Sequence, residues 1–403
     1  MAVNTRAADE EKVIAPRGFR AGAAKAGVKT GVADRLDVGL IVSDRPCTAA
    51  GVLTTNQVIA APCVVTRKHL EKGTLRGIVA NSGIANACTG EEGDRNAIAM
   101  AVAAANAIGC SPYEVGVAST GVIGWQLPID RISKAIGEIR ASESGFPDFA
   151  RAIMTTDTKP KQVVAANTDR EGRTIRAIGT AKGAGMIHPN MATLLSFIIT
   201  DAEVPLDELR AITRRAAERS FNAISVDGDT STNDTLLVLA NGASGVPAND
   251  ETLREAEQLV TKVCEMLARQ IVADGEGVTK VFEVRVTGAA TADDAKRAAR
   301  TITTSNLVKT AIHGADPNWG RIIAAAGRSG ARVDDRKATI RIGDLEVFRK
   351  GTPMRFDPDA VRRIFSQKEI VISLELGLGA WDATAWGTDL SAEYVRINAD
   401  YTT

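Results

Sequence analysis

Cysteine is sparse and ungrouped in this sequence. Cys47, Cys63, Cys88, Cys110 and Cys264 are odd in number, scattered, and never spaced as CxxC, which speaks against a disulfide framework or a thiolate zinc site and favours a reducing cytoplasm. Histidine is scarcer still. His69, His188 and His313 are the only three, and none stands where it would obviously activate a nucleophile. Neither charge is in excess: Lys and Arg total 49, and so do Asp and Glu, a balance that argues against nucleic acid or an acidic membrane surface as partner. No run approaches the roughly 18 apolar residues that span a membrane. The opening MAVNTRAADEEKVIAPRGF mixes acids with bases and has no apolar core of about 7–15 residues, so no secretion signal is expected. Internal repeats, heptads and low-complexity tracts are also missing.

What is present is ordinary globular composition, 44% hydrophobic and 24% charged. At 403 residues the chain exceeds the size at which single cores stop growing, so two domains or two interlocked halves are expected. Residues 13–60 read as short strands broken by glycine, with a turn at Asp44-Arg45-Pro46, where proline fixes φ and restricts its predecessor. A buried strand over Ile78, Val79 and Ala80 leads into a polar loop and an alanine-rich helix, and 114–124 reads as an apolar strand. Pro128 starts a helix, as a first-turn proline should, and FPDFARAIM forms another that runs into Thr155-Thr156-Asp157-Thr158-Lys159-Pro160. Leu206, Leu209, Ile212 and Ala216 recur at helical spacing, and a long helix from Glu251 stops at Gly275. Strands apolar on both faces need cover on both, so the expected class is α/β, a layered sandwich of stacked sheets covered by helices.

One stretch concentrates the chemistry. Lys182 to Thr200, KGAGMIHPNMATLLSFIIT, passes from a lysine in a glycine-rich turn through Pro189-Asn190 into a continuous apolar run. Such a run, rich in β-branched and aromatic residues, predicts a strand covered on both faces. Thr193 stands at its mouth, and spacing alone leaves three readings of it. It can be a β-branched residue opening the strand, a phosphate ligand (though the GxxxxGK[ST] order is absent), or a nucleophile. The last requires a base, which the α-amino group of Thr193 would itself supply if the Ala192–Thr193 bond were cut.

KGAGMIHPNMATLLSF resembles the self-cleavage segment of the ornithine acetyltransferase family, the bifunctional glutamate N-acetyltransferases of arginine biosynthesis. Further similar stretches, among them VIAPRGFRAGAAKAGVK, NSGIANACTG, STGVIG, TTDTKPK, SVDGDTSTNDT, DGEG and SNLVKTAIHGADPNWGRIIAAAG, extend the resemblance over essentially the whole chain. It implies a fold related to self-processing N-terminal-nucleophile enzymes and a cut between Ala192 and Thr193, giving fragments 1–192 and 193–403. Thr193 would carry the acetyl group from N-acetylornithine to glutamate. In STGVIG, Thr120 and Gly121 would hold the oxyanion, although a hydroxyl followed by glycine is by itself a common turn; a glycine does let backbone N–H approach a reacting oxygen. Substrate contacts would come from Thr156 (or its neighbour Thr155), Lys182 toward the α-carboxylate, Glu276 toward the side-chain ammonium, and Asn398 and Thr403 of the tail, which should then be ordered. Asn81, Ser82, Asn86 and Thr89 would lie near the site, each with a turn-forming role as the plainer alternative.

The resemblance implies no metal and no cofactor, with acetyl-CoA an added co-substrate in the bifunctional members, and an assembly of two copies of each fragment. Asp227-Gly228-Asp229 faintly resembles a calcium loop but lacks the closing glutamate. Lys309, Asp316, Asn318 and Arg321 are expected to form an internal polar network without a catalytic part. Two rivals stay open on residues alone: a self-processing amidohydrolase or aminopeptidase in which water takes the acyl group, and an uncleaved amino-acid-binding protein in which Thr193 merely packs.

Overall fold

The structure is a computed structural model that describes residues 14–29, 35–169, 171–188 and 194–400, together with the backbone of 4–7. Its larger sheet has nine strands. In spatial order they are Asn4–Ala7, Lys161–Thr168, Thr174–Lys182, Leu195–Thr200, Thr235–Ala240, Val38–Leu53, Thr74–Ile84 and Val115–Val122, with Phe19–Ala24 paired beside Val38–Leu53. The pairs Leu195–Thr200 with Thr235–Ala240 and Thr74–Ile84 with Val115–Val122 are parallel, the others antiparallel.

Alternation of side chains gives this sheet two apolar faces. On the inner one, Ile41, Ile78 and Ala118 meet Phe197, Ile199, Leu237 and Leu239, so the sheet closes over itself. The short helix Phe146–Ala152 fills the interior, its Phe149 edge-on to Phe197 with centroids 5.6 Å apart. On the outer face, helices Leu206–Arg219 and Asp250–Ala273 cover Ile198, Val238 and Val163, while Ala61–His69, Gly90–Ile108 and Ile129–Glu138 cover Val79, Val115 and Val117. The long helix starts where Asn249 accepts from the N–H groups of Glu251 and Thr252, and it buries Leu259, Val263, Leu267 and Ile271 on one stripe. The layered α/β expectation holds, and all six residues of Leu195–Thr200 are buried, the polar Ser196 and Thr200 along with the apolar four.

The turn expected at Asp44-Arg45-Pro46 is not there. Val38–Leu53 is one strand whose pairing breaks register between Val42 and Cys47, and the proline falls in that break, where no ladder donor is required of it. The break lets one strand serve both halves of the sheet, Thr74–Ile84 along its first part and Thr235–Ala240 along its second.

A second sheet, in order Thr352–Pro353, Leu345–Arg349, Thr339–Ile342, Glu369–Glu375, Val281–Ala289, Trp381–Thr388 and Ile224–Ser225, packs Val284, Ile340 and Ile372 against helices Ala292–Thr303, Asn306–His313 and Trp319–Gly327. The helix Ala392–Asp400 ends the described chain. Position 192/193 falls between Thr174–Lys182 and Leu195–Thr200, which pair with each other in antiparallel register. Residues 1–192 and 193–403 therefore share the large sheet rather than forming separate domains.

Candidate active site

Strand ends and loops converge on a cleft of about 170 Å³ beside the start of Leu195–Thr200. Thr120 and Gly121 reach it from the end of Val115–Val122, Thr155 and Thr156 from the loop after Phe146–Ala152, and Lys182 from the end of its strand. Glu276 comes from the turn after Asp250–Ala273, and Tyr394 and Asn398 from the last helix. Thus Thr120, Gly121, Thr156, Lys182, Glu276 and Asn398 line one cavity, with Thr155 beside Thr156 on the same wall. Ala192, Thr193 and Thr403 lie outside the described residues; Leu194, next to Thr193, lines the cleft.

Local geometry explains the residue types. Gly121 has φ +130°, and a Cβ there would stand 2.2 Å from the Gly83 carbonyl carbon, so only glycine lets these two strand ends touch. A Cβ on Gly185 would meet the Glu276 carboxyl at 2.5 Å, so the carboxylate lies against bare backbone. Asn398 Nδ2 donates to Glu276 Oε2 at 2.9 Å, and Ser391 Oγ donates to the Gly277 carbonyl at 2.6 Å, which docks the last helix on the turn that carries Glu276. The described tail is therefore tied down through Asn398.

Lys182 is buried and its Nζ donates to Thr120 Oγ1 at 3.1 Å. Burial pulls its pKa below the usual lysine value, opposed by the nearby carboxylates of Asp157, Glu276 and Asp234 and reinforced by Lys161. Beneath it, Asp157 Oδ1 accepts from Lys161 Nζ at 2.5 Å and from the Gly183 N–H at 2.7 Å, and Lys161 Nζ also donates to Asp274 Oδ2 at 2.6 Å. Burial alone would raise the Asp157 carboxyl; Lys182 and Lys161 outweigh it and hold the group below its ordinary value.

The loop after Ile224–Ser225 builds the opposite wall. Asp227 accepts from the Met186 and Ile187 N–H groups at 2.6 and 2.8 Å, pinning a turn in which Met186 takes φ +56°. Asn233 Nδ2 donates to the Ala85 and Ser119 carbonyls at 2.6 and 2.9 Å, stitching this loop to the strand ends that present Thr120. Both flanks of 189–193 are held by the same stretch: Thr230 Oγ1 donates to the His188 carbonyl at 2.9 Å, and the Thr235 N–H to the Leu194 carbonyl at 2.8 Å. SVDGDTSTNDT thus braces the cleft from one side. Its carboxylates do not gather into a metal site, and among the described residues no group of three His, Cys, Asp or Glu side chains is placed to hold one.

Asn81 and Asn86 are consumed locally, Asn81 Nδ2 on the Ile84 carbonyl and Asn86 Nδ2 on the Gly93 carbonyl, with Thr89 Oγ1 on Asn86 Oδ1. Ser82 Oγ accepts from Arg35 at 2.8 Å. None of these four lines the cleft. Lys309 is held within the second half, its ammonium on the Val226 carbonyl, and Asp316, Asn318 and Arg321 form a helix cap, Asn318 Oδ1 accepting from the Arg321 N–H at 3.1 Å, so the four do not make one network.

Sequence reasoning missed Asp157, Lys161 and Asp274. A lysine opening the apolar strand KQVVAA was the available signal, since a buried lysine demands carboxylates. It also missed the clamp made by Asp227 and the presence of Tyr394 in the cleft.

A strand-end hydroxyl and glycine, a buried ammonium beside them and a carboxylate share one small cavity in a layered α/β enzyme. The chain belongs to the ArgJ family, whose model matches residues 20–403. It is 52% identical over 396 residues to the arginine biosynthesis bifunctional protein ArgJ of Symbiobacterium thermophilum, covering 97% of this chain and 98% of that one. It is 49% identical to its counterpart from Dehalococcoides mccartyi, covering 97% of each. Among solved structures, the Bacillus halodurans arginine biosynthesis bifunctional protein is similar at 41% identity and a TM-score of 0.50, with 51% of this chain and 98% of that chain covered.

Proposed function

We propose that this protein is the acetyl-transferring enzyme of arginine biosynthesis, moving acetyl from N-acetylornithine to glutamate through an ester on Thr193 after self-cleavage at Ala192–Thr193. The observation that carries it is the convergence of Thr120, Gly121, Lys182, Glu276 and Asn398 on a cleft that begins at Leu194. Full-length similarity to bifunctional arginine-biosynthesis relatives supports the reaction.

Maturation starts with Thr193 Oγ attacking the Ala192 carbonyl. The chain shifts from nitrogen to oxygen, and water hydrolyses the ester to leave an Ala192 carboxylate and a free Thr193 amine. That amine, with a pKa of about 8 for a free terminus, then takes the hydroxyl proton as Oγ attacks the acetyl carbonyl of N-acetylornithine. Thr120 and Gly121 face the resulting oxyanion, and the C–N bond breaks as the departing ornithine amine collects the proton. Glutamate's amine attacks the ester, and Thr193 Oγ leaves and recovers its proton.

Among the described residues, four carboxylates in the cleft, Asp227, Asp229, Asp234 and Glu276, against the one ammonium of Lys182 suit a donor with a cationic side chain. The ammonium, besides touching Thr120, has donors left for the α-carboxylate. We assign acetyl-CoA as the alternative donor of the bifunctional reaction, two copies of each fragment as the assembly, and the cytoplasm as location. No described helix is long and apolar enough to cross a membrane.

The test combines intact mass, N-terminal sequencing and kinetics. A new chain starting Thr-Leu-Leu, ping-pong transfer from N-acetylornithine to glutamate, and little free acetate are expected. A single uncut species with full activity, or acetate as the main product, would overturn the reading in favour of a hydrolase or an uncleaved protein.

A further inference from the structure

Asp157, Lys161 and Asp274 beneath Lys182 have no part in the chemistry just described, yet together with that lysine they make four buried charged side chains, a costly arrangement. Asp157, Lys161, Lys182 and Asp274 are 8%, 1%, 8% and 7% exposed. Asp274 is anchored independently, accepting from the Thr158 N–H at 3.1 Å and from the Thr158 hydroxyl. Lys161 bridges it to Asp157, and Asp157 grips the N–H of Gly183, the residue next to Lys182. Position and charge are thus passed from the end of the long helix to one ammonium.

That ammonium ends on Thr120 Oγ1. A threonine hydroxyl carries one proton, so an oxygen that accepts from Lys182 keeps its proton for another acceptor, and Thr120 borders the cleft. An ammonium behind the hydroxyl also polarises it, as serial hydrogen bonds do in a low-dielectric interior.

We propose that Asp157, supported by Lys161 and Asp274, is a positioning residue that keeps the charged Lys182 behind Thr120, so that the Thr120 hydroxyl is pre-aimed at the developing oxyanion. This rests on the acetyl-transfer reading above, and gives Lys182 a role toward Thr120 in addition to any contact with substrate. The charged groups facing Lys182 are Asp157, Lys161, Glu276 and Asp234; burial depresses its pKa and Asp157 is the largest opposing influence.

The experiment is the pH dependence of kcat in Asp157→Asn. The amide still offers an oxygen to the Gly183 N–H but no negative charge to Lys182. Lys182 then gives up its proton more readily, so the basic limb should move at least about half a pH unit downward. At neutral pH kcat should fall ~10- to 100-fold, with KM for N-acetylornithine within about threefold. In a Thr120→Val background the same substitution should cost no more than about threefold, because the hydroxyl it serves is gone. Asp274→Asn guards against a misfolded Asp157 variant. It frees Lys161 to lean on Asp157 and repel Lys182, so its limb should move the same way. An unmoved basic limb in the folded variants, or an undiminished loss on the Thr120→Val background, makes the cluster a structural staple and overturns the proposal. Wild-type protein without acetyl transfer would instead defeat the functional reading before any variant is measured.

Discussion

Glu276→Gln separates the two substrates more sharply than any other single change. The carboxylate is buried, packed against the bare Gly185 backbone, and one of its oxygens accepts from Asn398. Glutamine is nearly isosteric, so the turn and the docked last helix should survive. What disappears is the negative charge that the proposed function sets against the side-chain ammonium of N-acetylornithine. A hydrogen bond to a charged partner contributes about 1.5–3 kcal/mol, which is roughly 10- to 150-fold in kcat/KM for that donor. Glutamate carries a carboxylate where ornithine has its amine, so its own KM should hold or fall. The assay is initial-rate transfer with each substrate varied, repeated with N-acetylnorvaline, a donor lacking the terminal amine, whose kcat/KM should not drop. Parallel losses for N-acetylornithine, N-acetylnorvaline and glutamate would refute the assignment of Glu276 to the ammonium and make it a structural residue.

Three further outcomes follow from the geometry. Gly121→Ala forces a side chain into the Gly83 carbonyl at φ +130°, a conformational cost of about 1–3 kcal/mol before any clash, so urea unfolding should show a lower midpoint and the cut form should accumulate slowly or not at all. Lys161→Met strands Asp157 and Asp274 without their shared cation, and loss of one partner of a buried pair should destabilise by ~3–5 kcal/mol in the same measurement. Burial and Arg300 hold the His188 imidazole down at about 4, against 6.5 for the free group. The unfolded chain therefore binds the proton first, and stability should be lost as pH falls from about 6.5 to about 4, on the order of 3 kcal/mol in all. His188→Gln should flatten that part of the pH–stability curve.

Much of the architecture could be read from periodicity. The two-sided apolarity of Leu195–Thr200 announced a covered strand, and the stripe Leu209, Ile212 and Ala216 a helix facing the core. Proline at 46 misled, because its local meaning as a turn former yields to the register break of a long strand. Within the cleft, residues carried by recognisable strings, Thr120, Lys182 and Glu276, were legible one by one. Their supports were not: Asp157 stands four residues before Lys161 but outside any helix or strand that would announce the pair, and Asp274 reaches Lys161 only through the packing of the long helix. Asp227 looked like part of an oxygen-rich loop, and only the fold turns it toward the Met186 and Ile187 amides.

Strands Leu195–Thr200 and Thr235–Ala240 sit wedged between Thr174–Lys182 on one edge and Val38–Leu53 on the other. An opened backbone would leave two polypeptides woven into one fabric, inseparable without tearing main-chain hydrogen bonds along both seams. Its refolding would become a bimolecular encounter, dependent on protein concentration, where the uncut precursor needs only itself. Producing the two pieces from separate genes would then ask each to hold an incomplete sheet with raw edges until its counterpart arrives.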